Sequence, residues 1–419
     1  MIFSHDFMTE ENQKRIKIKE DAFAVVSKER SSGEIGYYAL PSNGFTLIDE
    51  VNRFALENPF CASGAITDVA LIGIGGSSLG VKGVDSLLKS KQSPVRNLHF
   101  FENTDPINIA ATLATLKKES TLFIVASKSG TTIETISILK TVISHYGLDI
   151  GGVDKNRIVV ITDGGSSLSQ FADYHGMKQF AIPLNVGGRF SVLSAVGIVP
   201  LTLAGYDTKG LLEGADIFLN RFFNHQENHV IDKACFLFEN SGTVTTNILF
   251  AYANELENMC KWYVQLWGES LGKVNVHGNT VGLTPQSLIG SVDQHSFLQL
   301  LIEGPKDKSV TFISIQDFGN DLKIPTISLK YLEKTDFVHG KTFNELINLQ
   351  CDATKESLQM SGVATDKITF EAIDEASIGT MIIYYELLTS LVGAMMEINP
   401  YDQPGVELGK QILYKKFDN

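Results

Sequence analysis

Cysteine is scarce in this chain. Cys61, Cys235, Cys260 and Cys351 are scattered over 419 residues, with no CxxC pair and no HExxH-type spacing. That pattern gives no thiolate metal spacing; four cysteines could form two bridges, but in a chain of this size reduced core residues are expected, and with them a cytoplasmic protein. Positive charge is also short: 35 Lys and Arg stand against 48 Asp and Glu, a net charge of -13. Nucleic acids and acidic membrane surfaces need a basic footprint, so neither is an expected partner, and no basic helix-turn-helix segment is found. No apolar run approaches the roughly 20 residues that span a bilayer. The longest, 381–396, is broken by Glu386 and reads as a buried helix. The first 21 residues alternate in charge, without the apolar core and small cleavage residues of a leader peptide. Low-complexity tracts and close internal repeats are missing too.

What remains is an ordinary globular composition, 43% hydrophobic and 20% charged. The length suits two or three domains of roughly 100–200 residues each. From residue 65 the runs DVALIGIG, NLHFFEN, TLFIVAS and RIVVIT recur at intervals of about 25–35 residues, separated by amphipathic segments. Short apolar runs without strict alternation are expected of central parallel strands, and the rhythm is that of βαβ units. A second cycle starts after Asn220. VTTNILFAYA reads as a strand and NELENMCKWYVQLW as a helix running into Gly268; 309–315 and 325–329 read as further strands. Residues 375–398 form a long apolar helix stopped before Pro400. The expected architecture is α/β: an N-terminal segment 1–64, three-layer α/β/α domains with mainly parallel sheets at 65–215 and 216–373, and a C-terminal helical segment 374–419 packed across them.

Two loops carry the first functional signal. Gly73-Ile74-Gly75-Gly76-Ser77-Ser78-Leu79-Gly80 lies where a strand ends and a helix begins, so its glycines would let backbone N–H groups approach an anion. It is not a nucleotide fingerprint. G-x-G-x-x-G from Gly73 fails at Ser78, although Glu102 could pass for the ribose-binding acid. A P-loop fails because Val81 stands where the lysine should be. The second loop, Ser127-Lys128-Ser129-Gly130-Thr131-Thr132, puts four hydroxyls and a helix N-terminus at the carboxyl end of a parallel strand. Helix capping by Ser129 or Thr131 needs only one hydroxyl. Four in six residues suit a phosphate monoester, which takes several oriented donors at once.

GIGGSSLG and SKSGTT resemble the phosphate-binding loops of the sugar isomerase (SIS) fold. VGGRFSVLSAVG from Val186, QLWGESLGK from Gln265, YDQPGVELGK from Tyr401 and DQHSFLQLLIEGP from Asp293 narrow the resemblance to the glucose-6-phosphate isomerase family, in its shorter bacterial form. The resemblance spans residues 69–410 in the family's order. It implies an aldose–ketose isomerase that interconverts glucose 6-phosphate and fructose 6-phosphate without cofactor or metal.

Such a reaction opens the sugar ring and moves a proton between carbons 1 and 2 through a cis-enediol. The resemblance assigns that transfer to Glu269, a carboxylate able to take and return one proton. Arg189, behind two glycines, would stabilise the enediolate charge without exchanging protons. His295 and Lys410 match the family's ring-opening residues. Gly76, Ser77, Ser127, Lys128, Ser129, Thr131 and Thr132 would hold the phosphate; Gln265 and Gln403 would hold sugar hydroxyls. The family brings the histidine from the partner subunit, so a homodimer with His295 acting in trans is implied. By residue type alone, Glu269 is also a solvated helix-terminal acid, Arg189 a surface ion pair and Lys410 a solvated lysine. The other eight histidines receive no role.

Two rivals share the phosphate loops. Another sugar-phosphate isomerase on the same fold, acting on an aminosugar or mannose phosphate, would keep them, but QLWGESLGK and GVELGK argue against it. A non-catalytic sugar-phosphate-binding regulator would keep Ser127 to Thr132 with no need of Glu269, Arg189, His295 and Lys410 together. The chain departs from the family pattern at Trp267 and at Pro404, which stiffens the turn before Lys410.

Overall fold

The computed structural model describes residues 1–5 and 11–417. Residues 6–10, within the stretch read for a leader peptide, and residues 418–419 lie outside the described residues. In chain order the strands are β1 (Ile2–His5), β2 (Asp68–Ile72), β3 (Asn97–Phe101), β4 (Thr121–Ala126), β5 (Ile158–Thr162), β6 (Lys178–Ala181), β7 (Thr246–Ala251), β8 (Lys273–Val274), β9 (Thr280–Val281), β10 (Thr284–Ile289), β11 (Lys308–Asp317) and β12 (Ala364–Ala372). The first sheet runs β3-β2-β4-β5-β6, all parallel, and the second runs β1-β12-β11-β7-β10. In the second sheet only β1 is antiparallel, with Ile2 opposite Thr369, so the N-terminus is stitched into the far sheet. β8 and β9 form a small hairpin beside the site.

Side-chain alternation explains why both sheets are covered twice. On β2, Val69 and Leu71 join the central core, whereas Ala70 and Ile72 face the helices Ile133–Tyr146 and Ser167–His175. On the second sheet Leu249, Ile313 and Ile368 join that same central core, and Ile248, Phe250 and Phe312 pack toward the helix Phe343–Met360. Two α/β/α units therefore share one inner helical layer. Fully burying each such aliphatic side chain stabilises the fold by about 1.5–3 kcal/mol.

The helix Glu375–Met395 runs through this layer. It is capped by Asp374, which accepts from the Ser377 N–H at 2.7 Å. By length and composition it could cross a membrane, but 89% of its apolar window is buried inside the protein, so it is a core helix. The C-terminal segment then divides: Glu375–Met395 is packed against the body, while the helix Glu407–Phe417 buries none of its residues.

Most strands lie where apolar runs placed them. Residues 325–329 do not; they are an exposed loop, opened by a proline that has no N–H to give a ladder. The four cysteines are free and buried. Burial pushes the Cys260 thiol up to about 12, so it is unreactive near neutral pH.

Candidate active site

β2 ends at Ile72 and the chain turns through Gly75–Ser77 into the helix Leu79–Leu88. Gly76 fixes what this loop touches. A Cβ there would lie 2.3 Å from the Gly188 carbonyl oxygen and 2.8 Å from the Arg189 nitrogen. Only a glycine lets the first loop close on the turn Gly188–Phe190 that carries the arginine.

The second loop follows β4, whose six residues are all buried. The Ser127 N–H donates to the Ile161 carbonyl at 3.0 Å, and Thr162 Oγ1 donates to the Ser127 carbonyl at 2.7 Å, tying the loop to β5. Ser127 Oγ lies 2.9 Å from Thr132 Oγ1 and accepts from the Gly130 N–H at 3.2 Å. Gly130 sits at φ +69°, and a Cβ there would meet the Leu168 nitrogen at 2.8 Å.

The cap of the helix Ile133–Tyr146 is neither Ser129 nor Thr131. It is Thr132, and among the described residues no side chain accepts from the first turn, because the Thr132 hydroxyl is engaged with Ser127. A 14-residue helix thus presents its first N–H groups beside four hydroxyls. Ser129 and Thr131 stand exposed, 3.3 Å apart through their hydroxyls. Lys128 is placed differently from the phosphate ligand expected of it: its Nζ donates to the Leu184 and Val186 carbonyls at 2.9 and 2.7 Å, fastening the loop to the segment before Arg189.

Arg189 is not a surface residue. It is 3% exposed, and its guanidinium is held on several sides. Nε donates to Ser270 Oγ at 2.7 Å, Nη1 to Gln403 Oε1 at 3.2 Å, and Nη2 to the Pro400 and Asp402 carbonyls at 2.5 and 2.9 Å. These four bonds use four of the five guanidinium N–H groups. The remaining Nη1 proton belongs to the nitrogen 3.6 Å from Glu269 Oε2. Burial lowers the Arg189 pKa, while Glu269 and Asp402 draw it back up, and an arginine starting above 12 stays charged.

Glu269 lies in the last turn of the helix Glu257–Leu271, which continues past Gly268. Gln265, one turn earlier on the same face, donates from Nε2 to Glu269 Oε1 at 3.2 Å. That same Nε2 would stand 2.8 Å from a Cβ on Gly75, so Gln265 joins the first loop to the carboxylate. Its Oε1 is buried with no hydrogen-bond partner among the described residues. Glu269 is about one-third exposed in a cleft of about 650 Å³ lined also by Lys273, Val281, Asp402, Gln403 and Pro404. Pro404 opens a short turn, 404–406, between Gln403 and the terminal helix.

The chain thus brings Gly76, Gln265, Glu269, Arg189 and Gln403 together. His295 and Lys410 stay outside the group. His295 is exposed at the end of the turn Val292–His295; Lys410 is exposed on Glu407–Phe417, its Nζ 2.7 Å from Glu407 Oε1. Neither lines the Glu269 cleft. Two contributors were not singled out from sequence. Ser270 seats Arg189, and Lys273 pairs with Asp402. Both lie inside QLWGESLGK, and Lys273, just beyond the end of the helix that carries Glu269, was the legible one. No group of three or more potential metal ligands occurs among the described residues.

Hydroxyl-rich loops at parallel-strand ends, with a carboxylate and a fixed guanidinium beside them, define a phosphate-binding α/β protein equipped for acid–base chemistry. The chain matches the family "Phosphoglucose isomerase" over residues 57–418, and it belongs to that family. It is 42% identical over 388 residues to the glucose-6-phosphate isomerase of Campylobacter jejuni, covering 93% of each chain. A solved structure of a hypothetical protein from Thermus thermophilus superposes with a TM-score of 0.88 at 32% identity, covering 97% of this chain and 96% of that one. A glucose-6-phosphate isomerase from Chlamydia trachomatis shares the fold, with a TM-score of 0.75 at 22% identity over 99% of this chain and 80% of that one.

Proposed function

We propose that this chain interconverts glucose 6-phosphate and fructose 6-phosphate, serving glycolysis and gluconeogenesis. The observation that carries the reading is the pairing of Glu269 with the guanidinium of Arg189, 3.6 Å apart, with the first glycine loop closed on the turn that carries the arginine. Ser127, Ser129, Thr131 and Thr132, with the N–H groups of the uncapped helix and of Gly76 and Ser77, take the phosphate. Lys128 contributes charge from its carbonyl seat. Gln265 Oε1 and Gln403 align the sugar hydroxyls.

His295 and Lys410 open the ring. The carboxylate of Glu269 then removes the proton from carbon 2 of the open aldose, and the electron pair moves into a carbon 1–carbon 2 double bond as the carbonyl oxygen takes the negative charge. The unengaged N–H of Arg189 stabilises that charge from a site where the guanidinium need not move. As the carbon 2 hydroxyl proton passes to the carbon 1 oxygen, Glu269, now protonated, returns its proton to carbon 1 and the carbonyl forms at carbon 2, which gives the ketose. One base serves both carbons because they are adjacent.

His295 and Lys410 reach the site in a homodimer, with His295 acting in trans. Supporting this, both residues are exposed and outside the cleft, and the helix Glu407–Phe417 exposes Leu408, Ile412, Leu413, Tyr414 and Phe417. Four buried free thiols fit a reducing compartment, the cytoplasm. A coupled assay with fructose 6-phosphate and, separately, mannose 6-phosphate tests the activity. Formation of glucose 6-phosphate is expected, and its absence with folded protein contradicts the reading.

A further inference from the structure

Tyr401 stands between Pro400 and Asp402, the two residues whose carbonyls hold Arg189 Nη2. Its ring packs near Phe190, with centroids 5.4 Å apart, and its hydroxyl lies 2.6 Å from Glu29 Oε2 and 2.9 Å from Ser390 Oγ. Tyr38 donates to the same Glu29 oxygen at 2.8 Å, Tyr37 OH lies 2.9 Å from Ser390 Oγ, and Ser390 Oγ lies 3.1 Å from the Glu386 carbonyl. One hydrogen per hydroxyl restricts the arrangement. Tyr38 donates to the Glu29 carboxylate, the Tyr401 hydrogen is shared between Glu29 and Ser390 Oγ, and Ser390 donates to the Glu386 carbonyl, which leaves Tyr37 to donate to Ser390. Glu29 lies on the helix Gln13–Ser32, which contributes nothing to the cleft.

We infer that Glu29 and Tyr401 form a latch that positions Arg189 for the reaction. A main-chain carbonyl cannot be tuned by its own side chain except through where that side chain is anchored. Fixing the Tyr401 hydroxyl to Glu29 and Ser390 fixes the two flanking carbonyls, and these fix the direction of the guanidinium. From the other side, Asp402 is held by Lys273 and by Asn399 Nδ2, the latter at 3.0 Å. Loss of the phenol hydroxyl therefore shifts the loop without unravelling it. Both residues are positioning residues, since neither faces the cleft.

The inference rests on the isomerase reading. Its test is a double-mutant cycle between Tyr401→Phe and Arg189→Lys, with Glu29→Gln as a second variant that keeps one acceptor oxygen. Because ångström-scale misplacement of a reacting group costs up to about 100-fold, Tyr401→Phe is expected to lower kcat roughly 10- to 100-fold. KM for fructose 6-phosphate should hold within about twofold, since the phosphate loops are untouched. Affinity for a five-carbon aldonic acid phosphate, with its carboxylate where the enediolate forms, should fall in step with kcat. Glu29→Gln should lose less, and Tyr401→Phe added to Arg189→Lys should cost little more. Unchanged kcat in folded Tyr401→Phe and Glu29→Gln, or the same fold loss in the Arg189→Lys background, overturns the latch while a wild-type chain remains an isomerase. A wild-type chain with no isomerase activity overturns both readings.

Discussion

Arg189 Nη1 lies 3.6 Å from Glu269 Oε2, and the same nitrogen donates to Gln403 Oε1 at 3.2 Å. A carboxylate, a guanidinium and an amide are thereby set in one small group by segments distant in sequence. The first prediction concerns that cation. Arg189→Lys keeps the charge but cannot reach Ser270, Gln403 and two carbonyls from one ammonium. Its kcat is expected to fall about 10²–10³-fold. Steady-state kinetics checks this, and a kcat within a few fold of wild type contradicts it.

Gly130 sets the second loop. Its φ of +69° costs a non-glycine residue about 1–2 kcal/mol, and a methyl group would also meet the Leu168 nitrogen. Gly130→Ala is expected to raise KM for fructose 6-phosphate and weaken inhibition by inorganic phosphate together, with kcat less affected. A lower kcat at unchanged KM counts against a phosphate role for the loop.

Glu386 supplies a pH dependence of stability. Burial alone holds its carboxyl well above the usual range, and neither oxygen has a hydrogen-bond partner among the described residues. The unfolded chain releases this proton near pH 4.3, while the folded chain keeps it. Above that pH the unfolded state binds fewer protons, so stability falls as pH rises toward the folded pKa, by at most about 1.4 kcal/mol per unit from this group. Below pH 4 the penalty vanishes. Glu386→Gln should therefore raise the urea midpoint more at pH 8 than at pH 5, and an equal gain at both contradicts the assignment.

The terminal helix is expected to bear on the proposed assembly. Placing charge on its apolar face, as in Leu413→Asp, is expected to leave a folded chain that sediments as a monomer and lacks isomerase activity. In the matching experiment, mixing inactive His295→Ala with inactive Glu269→Ala should restore some activity through hybrid dimers. Hybrids that form without recovering activity rule out sharing.

Much of the fold was legible because β2, β4 and β5 are buried on both faces and so read as continuous apolar runs. β12 was not, since Thr365, Asp366, Lys367 and Thr369 interrupt it; Asp366 is accommodated by Lys233 Nζ at 2.6 Å, a partner 133 residues away. β1 escaped notice for a different reason: four residues mean little until paired with β12. Of the site, side chains such as Glu269 and Gln265 were readable through the segment QLWGESLGK and its family resemblance. The seat of Arg189 was not, because the Pro400 and Asp402 carbonyls carry no residue identity. The grip on Lys128 was hidden likewise.

The central claim is that Glu269 moves a proton between adjacent sugar carbons. The direct measurement is conversion of fructose 6-phosphate in deuterium oxide, followed by NMR of the glucose 6-phosphate formed. Wild type is expected to give product partly labelled with solvent deuterium at carbon 2, through exchange of the Glu269 proton while the enediolate is bound, and Glu269→Gln, with its fold intact, to be slower by about 10²–10⁴-fold. Undiminished turnover in folded Glu269→Gln would contradict the account.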